Sequence, residues 1–149
     1  MRKIILIFAM VIFTVAAVFA QVQKPVKWAY SAKKINSTEA ILYIKATLSD
    51  NWHIYSQNTP DGGPVKTSFV FNKSKDFNLV GKTAEPTPIT KFEDVFKLNV
   101  KYFEKSVIFT QKIKLNKGVT VVKGTVESMA CNDKQCLPPE EVEFSIPVK

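Results

Sequence analysis

After its first twenty residues, the chain places apolar side chains at every second position along most of its length. Leu42, Ile44, Ala46 and Leu48 fall on one face of a strand, with Tyr43, Lys45 and Thr47 on the other. Val107, Phe109, Ile113 and Leu115 line the next clear strand, with Gln111 as a polar exception and Lys112 and Lys114 pointing away. Val142, Phe144, Ile146 and Val148 alternate with Glu143, Ser145 and Pro147. A period of two marks strands with one buried face, and one polar face favours antiparallel pairing. Shorter candidates lie near Lys27–Tyr30, Trp52–Gln57, Ser68–Phe71, Phe77–Val80, Asn99–Phe103 and Val119–Ala130.

Turn-forming clusters separate these runs: Ser49-Asp50-Asn51, Pro60-Asp61-Gly62-Gly63-Pro64 and Asn116-Lys117-Gly118. No stretch carries the 3.6-residue period of an amphipathic helix. Seven to nine short strands in about 125 residues predict an all-β domain, an immunoglobulin-like antiparallel β-sandwich of two sheets packed face to face.

The first twenty residues read differently. Arg2 and Lys3 precede an uncharged run from Ile4 to Ala20, and Val18-Phe19-Ala20 has the pattern of a signal-peptidase site. Residues 1–20 are therefore expected to be a signal peptide cleaved after Ala20, leaving one domain over residues 21–149. The rival is an uncleaved anchor, which would bring membrane contact; the run sits at the short limit for a spanning helix.

Cleavage would also remove the only arginine and lower the formal net charge from +8 to +6. Nucleic-acid readers depend on arginine forks, and the lysines here are scattered among apolar residues, so no nucleic-acid partner is expected. A chain with one histidine (His53) and two cysteines (Cys131 and Cys136) also offers too few ligands for a structural zinc site.

Those two cysteines carry the candidate chemistry. They flank Asn132-Asp133-Lys134-Gln135 in a connection between two strands, so they lie close together, and an exported pair of this kind is expected to form a disulfide. As a staple the bond would close a loop of about six residues, worth roughly 2 kcal/mol, against about 4 kcal/mol for a bond between distant strands. A short, loop-borne bond is also the exchangeable type. Spacing alone leaves both readings open, a redox pair or a local staple. Pro138-Pro139 fix the backbone at the loop exit. Lys134 is the nearest source of a field favouring thiolate, opposed by Asp133 and Asp94. His53 could add to that field, although a lone strand histidine reads first as an ordinary polar residue.

The segment from Cys131 to Pro139, with the acidic pair and strand that follow, resembles the N-terminal periplasmic domain of the DsbD family. Trp52-His53-Ile54-Tyr55-Ser56 with Asp61-Gly62-Gly63-Pro64 is similar to that family's early aromatic strand and turn. Phe92-Glu93-Asp94-Val95-Phe96 is similar to its cap loop. This sequence has four residues between the cysteines where better-known members have five, and Val95 replaces an acid before the cap phenylalanine.

The resemblance implies an immunoglobulin-like fold and a thiol–disulfide exchange protein in the periplasm that uses no cofactor. A separate membrane-embedded reductase would supply electrons, and thioredoxin-like proteins, including those of cytochrome maturation, would accept them. Cys136 would form the mixed disulfide and Cys131 would resolve it. Phe96 would cap the bond, with Tyr55 and Asp94 lining the site. The alternative is a non-catalytic immunoglobulin-like binding module with a structural disulfide, using Trp28 and Trp52 to hold its ligand.

Overall fold

The computed structural model describes residues 23–149, so the expected signal segment lies outside it. Eleven strands follow one another: β1 (Val26–Lys34), β2 (Glu39–Leu48), β3 (His53–Tyr55), β4 (Ser68–Phe71), β5 (Phe77–Ala84), β6 (Ile89–Glu93), β7 (Leu98–Glu104), β8 (Ser106–Leu115), β9 (Thr120–Ser128), β10 (Ala130–Cys131) and β11 (Glu140–Val148). Every paired ladder is antiparallel.

Two sheets, β1-β2-β8-β5 and β11-β9-β4, form the immunoglobulin-like sandwich. Alternation decides what lies between them. Leu42, Ile44 and Ala46 of β2 and Phe109 and Ile113 of β8 meet Val122 and Val126 of β9 and Phe144 and Ile146 of β11. Each large side chain buried there contributes about 1.5–3 kcal/mol. Gly124 in β9 is set by packing: a Cβ there would lie 2.2 Å from the Val70 carbonyl oxygen and 2.6 Å from the Phe144 ring.

The polar exception, Gln111, is buried in this core-facing row. Its amide donates to the carbonyls of Val80 (3.2 Å) and Lys112 (2.8 Å), and its Oε1 accepts from Thr83 Oγ1 (2.9 Å). The Val80 carbonyl needs that donor because the register of β5 against β8 shifts between Val80 and Ala84. Gly81, at φ +70°, makes the irregularity possible. Gln111 fills a break in the ladder.

The remaining strands form a third, smaller sheet, β10-β3-β7-β6. The sequence led us to expect seven to nine strands in two sheets. The extra elements are the two-residue β10, too short to display a period, and β6, an edge strand with little buried on either face. Ile54, Phe103 and Ala130 send one face of this sheet into the main core. The opposite face carries Tyr55, Val100 and Cys131, a second small core on which Phe96, Leu98, Tyr102 and Met129 pack.

Candidate functional site

The candidate site is that opposite face. In β3, Ile54 points inward, so period two turns His53 and Tyr55 outward. Antiparallel register sets His53 opposite Cys131 on one side and Glu104 on the other, and Tyr55 opposite Tyr102. The strand is pinned along its length. Ser56 N donates to the Lys101 carbonyl (2.9 Å), and the Tyr55 carbonyl accepts from Thr67 N (3.3 Å) and Thr67 Oγ1 (2.5 Å). Beyond it, the Glu85 carboxylate gathers the Ser56 hydroxyl, Gln57 N (3.0 Å) and Asn58 Nδ2 (2.7 Å).

Cys131 and Cys136 are joined in a disulfide, with Cα atoms 4.0 Å apart. The loop between them is closed by its own first residue. Asn132 Oδ1 accepts from Lys134 N and Gln135 N, both at 2.9 Å, and Asn132 N donates to the Gln135 carbonyl at 2.9 Å. Leu137 N then returns to the Ala130 carbonyl, so the hairpin is re-paired beyond the bond. The two cysteines occupy unequal environments: Cys131 is 2% exposed, whereas Cys136 lies on the exposed loop.

The bond lines a cleft of about 290 Å³. His53 and Tyr55 come to it from β3, Lys91 and Glu93 from β6, Val95 and Phe96 from the turn after β6, and Asn132 to Gln135 from the cysteine loop. Phe96, half-buried, packs against the small core of Tyr55, Val100 and Cys131. Val95 at the rim is 85% exposed.

Electrostatically the cleft mixes signs. Lys91 and Glu93 pair at 3.2 Å, and that contact raises the Lys91 ammonium above its ordinary range. Burial holds the His53 imidazole below its usual pKa, while Glu93, Glu104 and Asp133 pull the other way. Burial pushes the Tyr55 hydroxyl up to about 12, helped by Glu93. His53 Nε2 and the Tyr55 hydroxyl lie 3.2 Å apart, and the histidine ring sits 5.0 Å from that of Tyr102.

Comparison with known proteins fits this architecture. A family model described as the N-terminal region of the thiol:disulfide interchange protein DsbD matches residues 20–147. The chain belongs to this family.

Solved structures with the same fold include the N-terminal periplasmic domain of ScsB from Proteus mirabilis, at 15% identity and a TM-score of 0.61. The match covers 88% of this chain and 49% of that one, so the chain spans about half the ScsB chain. The DsbD N-terminal domain of Neisseria meningitidis in its reduced form matches at 13% identity and 0.55, over 84% of this chain and 89% of that one. The same organism's DsbD N-terminal domain, solved in complex with the PilB N-terminal domain, matches at 12% identity and 0.51, over 84% and 87%. No curated protein matches the chain significantly.

Within this DsbD-type domain the fold brings Cys131, Cys136, Phe96 and Tyr55 onto one cleft. Asp94 stands apart. Its exposed carboxylate pairs with Lys97 at 3.2 Å on the turn that carries Phe96, outside the residues lining the cleft. His53, first an ordinary strand residue in the sequence, lines the cleft, as do Glu93 of the cap-loop segment and Lys91, which no sequence signal singles out. His53 was within reach, because the alternation that buries Ile54 forces it onto the face of Tyr55. Lys91 was not, since β6 shows no alternation. Trp28 and Trp52, the aromatics of the binding-module alternative, pack instead against the main core.

Proposed function

We propose that this domain is a thiol–disulfide relay. Its reduced dithiol passes two electrons and two protons to the disulfide of a thioredoxin-like partner, and a membrane-embedded reductase restores the dithiol. In the first half of transfer, the Cys136 thiolate attacks a partner sulfur, forming a mixed disulfide and releasing the partner's other sulfur as thiolate. Cys131 then attacks Cys136 Sγ. The internal bond forms, the mixed bond breaks, and the partner leaves as a dithiol.

One observation carries this reading: the unequal burial of the two cysteines beneath Phe96. A partner can reach the exposed Cys136, whereas Cys131 is shielded and positioned to resolve. Phe96 acts as a cap that limits access by small reductants, with Tyr55 as the wall beneath it. The reduced Neisseria domain and its complex with a PilB domain support both halves of the cycle, since that fold exists as a dithiol and docks onto another protein domain. Residues 1–20 serve as an export signal cleaved after Ala20. The domain, residues 21–149, works in the periplasm, the compartment named for the ScsB neighbour.

The test is trapping. Reduced Cys131→Ser protein should accumulate a mixed disulfide through Cys136 with an oxidised thioredoxin-like protein, while Cys136→Ser should not. Equal trapping by both variants, or by neither, contradicts the assignment.

A further inference from the structure

His53 has no part in the relay as described, yet it is the cross-strand neighbour of Cys131. Directly opposed residues in an antiparallel pair place their Cβ atoms about 4.5–5.5 Å apart. Both side chains line the same cleft. Resting on the assignment of Cys131 as the resolving thiol, we propose that His53 receives the proton Cys131 must lose before attacking Cys136 Sγ, and so sets the rate of release.

Cys131 is buried, and burial disfavours its thiolate. A buried thiol that must react needs a base beside it, and the imidazole is the neighbouring group that titrates near neutrality. In the tautomer that carries its proton on Nε2, the ring donates to the Tyr55 hydroxyl 3.2 Å away, and Nδ1, the nitrogen nearer the backbone, keeps a free lone pair. The same bond survives when the ring becomes imidazolium, because Nε2 remains a donor.

The groups facing His53 balance its charge. Burial disfavours the imidazolium, so the ring rests neutral with a lone pair free to take a proton. Glu93 from β6, Glu104 from β7 and Asp133 from the cysteine loop favour the imidazolium, while Lys91 from β6 opposes it. Tyr102 from β7 packs against the ring and stays neutral through burial.

The step balances. The proton moves from Cys131 Sγ to His53, the Cys131–Cys136 bond forms, and the bond from Cys136 to the partner breaks. The partner thiolate departs with the electron pair and is protonated from the imidazolium or from water.

A two-step reaction of the reduced mature protein with 5,5′-dithiobis(2-nitrobenzoate) tests this. The first equivalent of thionitrobenzoate reports attack by Cys136, and the second reports resolution by Cys131. In His53→Phe, which keeps an aromatic ring against Tyr55 and Tyr102, the second phase at pH 7 should slow by about 10²-fold, the scale of a lost general base. The first phase should be unchanged. The slow phase should then rise about tenfold per pH unit, where the wild type levels off, and added imidazole should restore part of the rate. His53→Gln, which retains polarity without a titrating group, should behave as His53→Phe does.

Equal second phases in wild type and variants would overturn the proposal, as would equal slowing of both phases. If peptide mapping placed the first adduct on Cys131 in the wild type, the relay assignment itself would fall and this inference with it. Failure confined to the second phase leaves the relay standing.

Discussion

At the residue scale, the site depends on a difference between two chemically identical side chains. Cys131 is buried against Tyr55 and Val100, and Cys136 is exposed. Phe96, proposed as the cap of that bond, lines the same cleft without being fully buried itself. Phe96→Ala should accelerate reduction of the bond by glutathione several-fold, followed as free thiol against time. It should lower stability by roughly 1–2 kcal/mol in urea unfolding, less than the ~3–5 kcal/mol of a fully buried phenylalanine. An unchanged reduction rate would remove the cap role.

His53 also leaves a mark on stability. Its folded pKa lies below the unfolded value of about 6.5, so the unfolded chain binds the proton more readily. Stability is full above about pH 6.5 and declines as pH falls from there through the depressed folded value. The melting temperature of wild-type protein should drop across that window. The His53→Phe variant should lose that part of the decline, whereas the separate effect of Glu39, whose carboxylate is held low by Lys112 and Asn36, persists at more acidic pH.

At the element scale, two features of the sandwich are open to direct challenge. Gln111 completes the break in β5, and Gln111→Leu would strand the Val80 carbonyl and the Thr83 hydroxyl. Both groups are only partly buried, so the loss should sit near the low end of the ~1–3 kcal/mol cost of an unpaired buried group, measurable as a shift in the urea midpoint. Gly124→Ala should destabilise by about 1–3 kcal/mol, because its methyl group would meet backbone at Val70 as well as the Phe144 ring, and backbone cannot rotate away.

These cases also mark how far the sequence could be read. Alternation located β2, β8 and β11 because each buries one complete face. It exposed Gln111 as an anomaly but could not explain it, since the reason lies in the register of a neighbouring strand. It stopped β5 at Val80, because the strand continues past a glycine with no buried face to signal it. β6 was invisible for the same physical reason: an edge strand whose residues are mostly exposed has no hydrophobic period, and with it went Lys91. The cysteines, Tyr55 and Phe96 were legible as a motif. Their convergence on one face of a third sheet, with Asp94 turned outward to Lys97, belongs to tertiary packing.

At the scale of the whole molecule, a sandwich carries the main core and an appended sheet carries the candidate site. The division follows from the pleat. One face of β10-β3-β7-β6 is fused to the main core through Ile54, Phe103 and Ala130, and its reverse is free to hold a reactive bond. The disulfide closes a loop of only a few residues, so its entropic benefit is small. The fold should survive its loss: Cys131→Ser/Cys136→Ser protein should retain a β-rich circular dichroism spectrum and lose only about 2 kcal/mol of stability.

The central claim is that this bond exists to be exchanged. Equilibrating residues 21–149 against dithiothreitol and glutathione buffers gives its reduction potential directly. The relay predicts a value well above about −300 mV, within reach of thioredoxin-like partners. A value at or below that level would place the bond among structural staples and contradict the account.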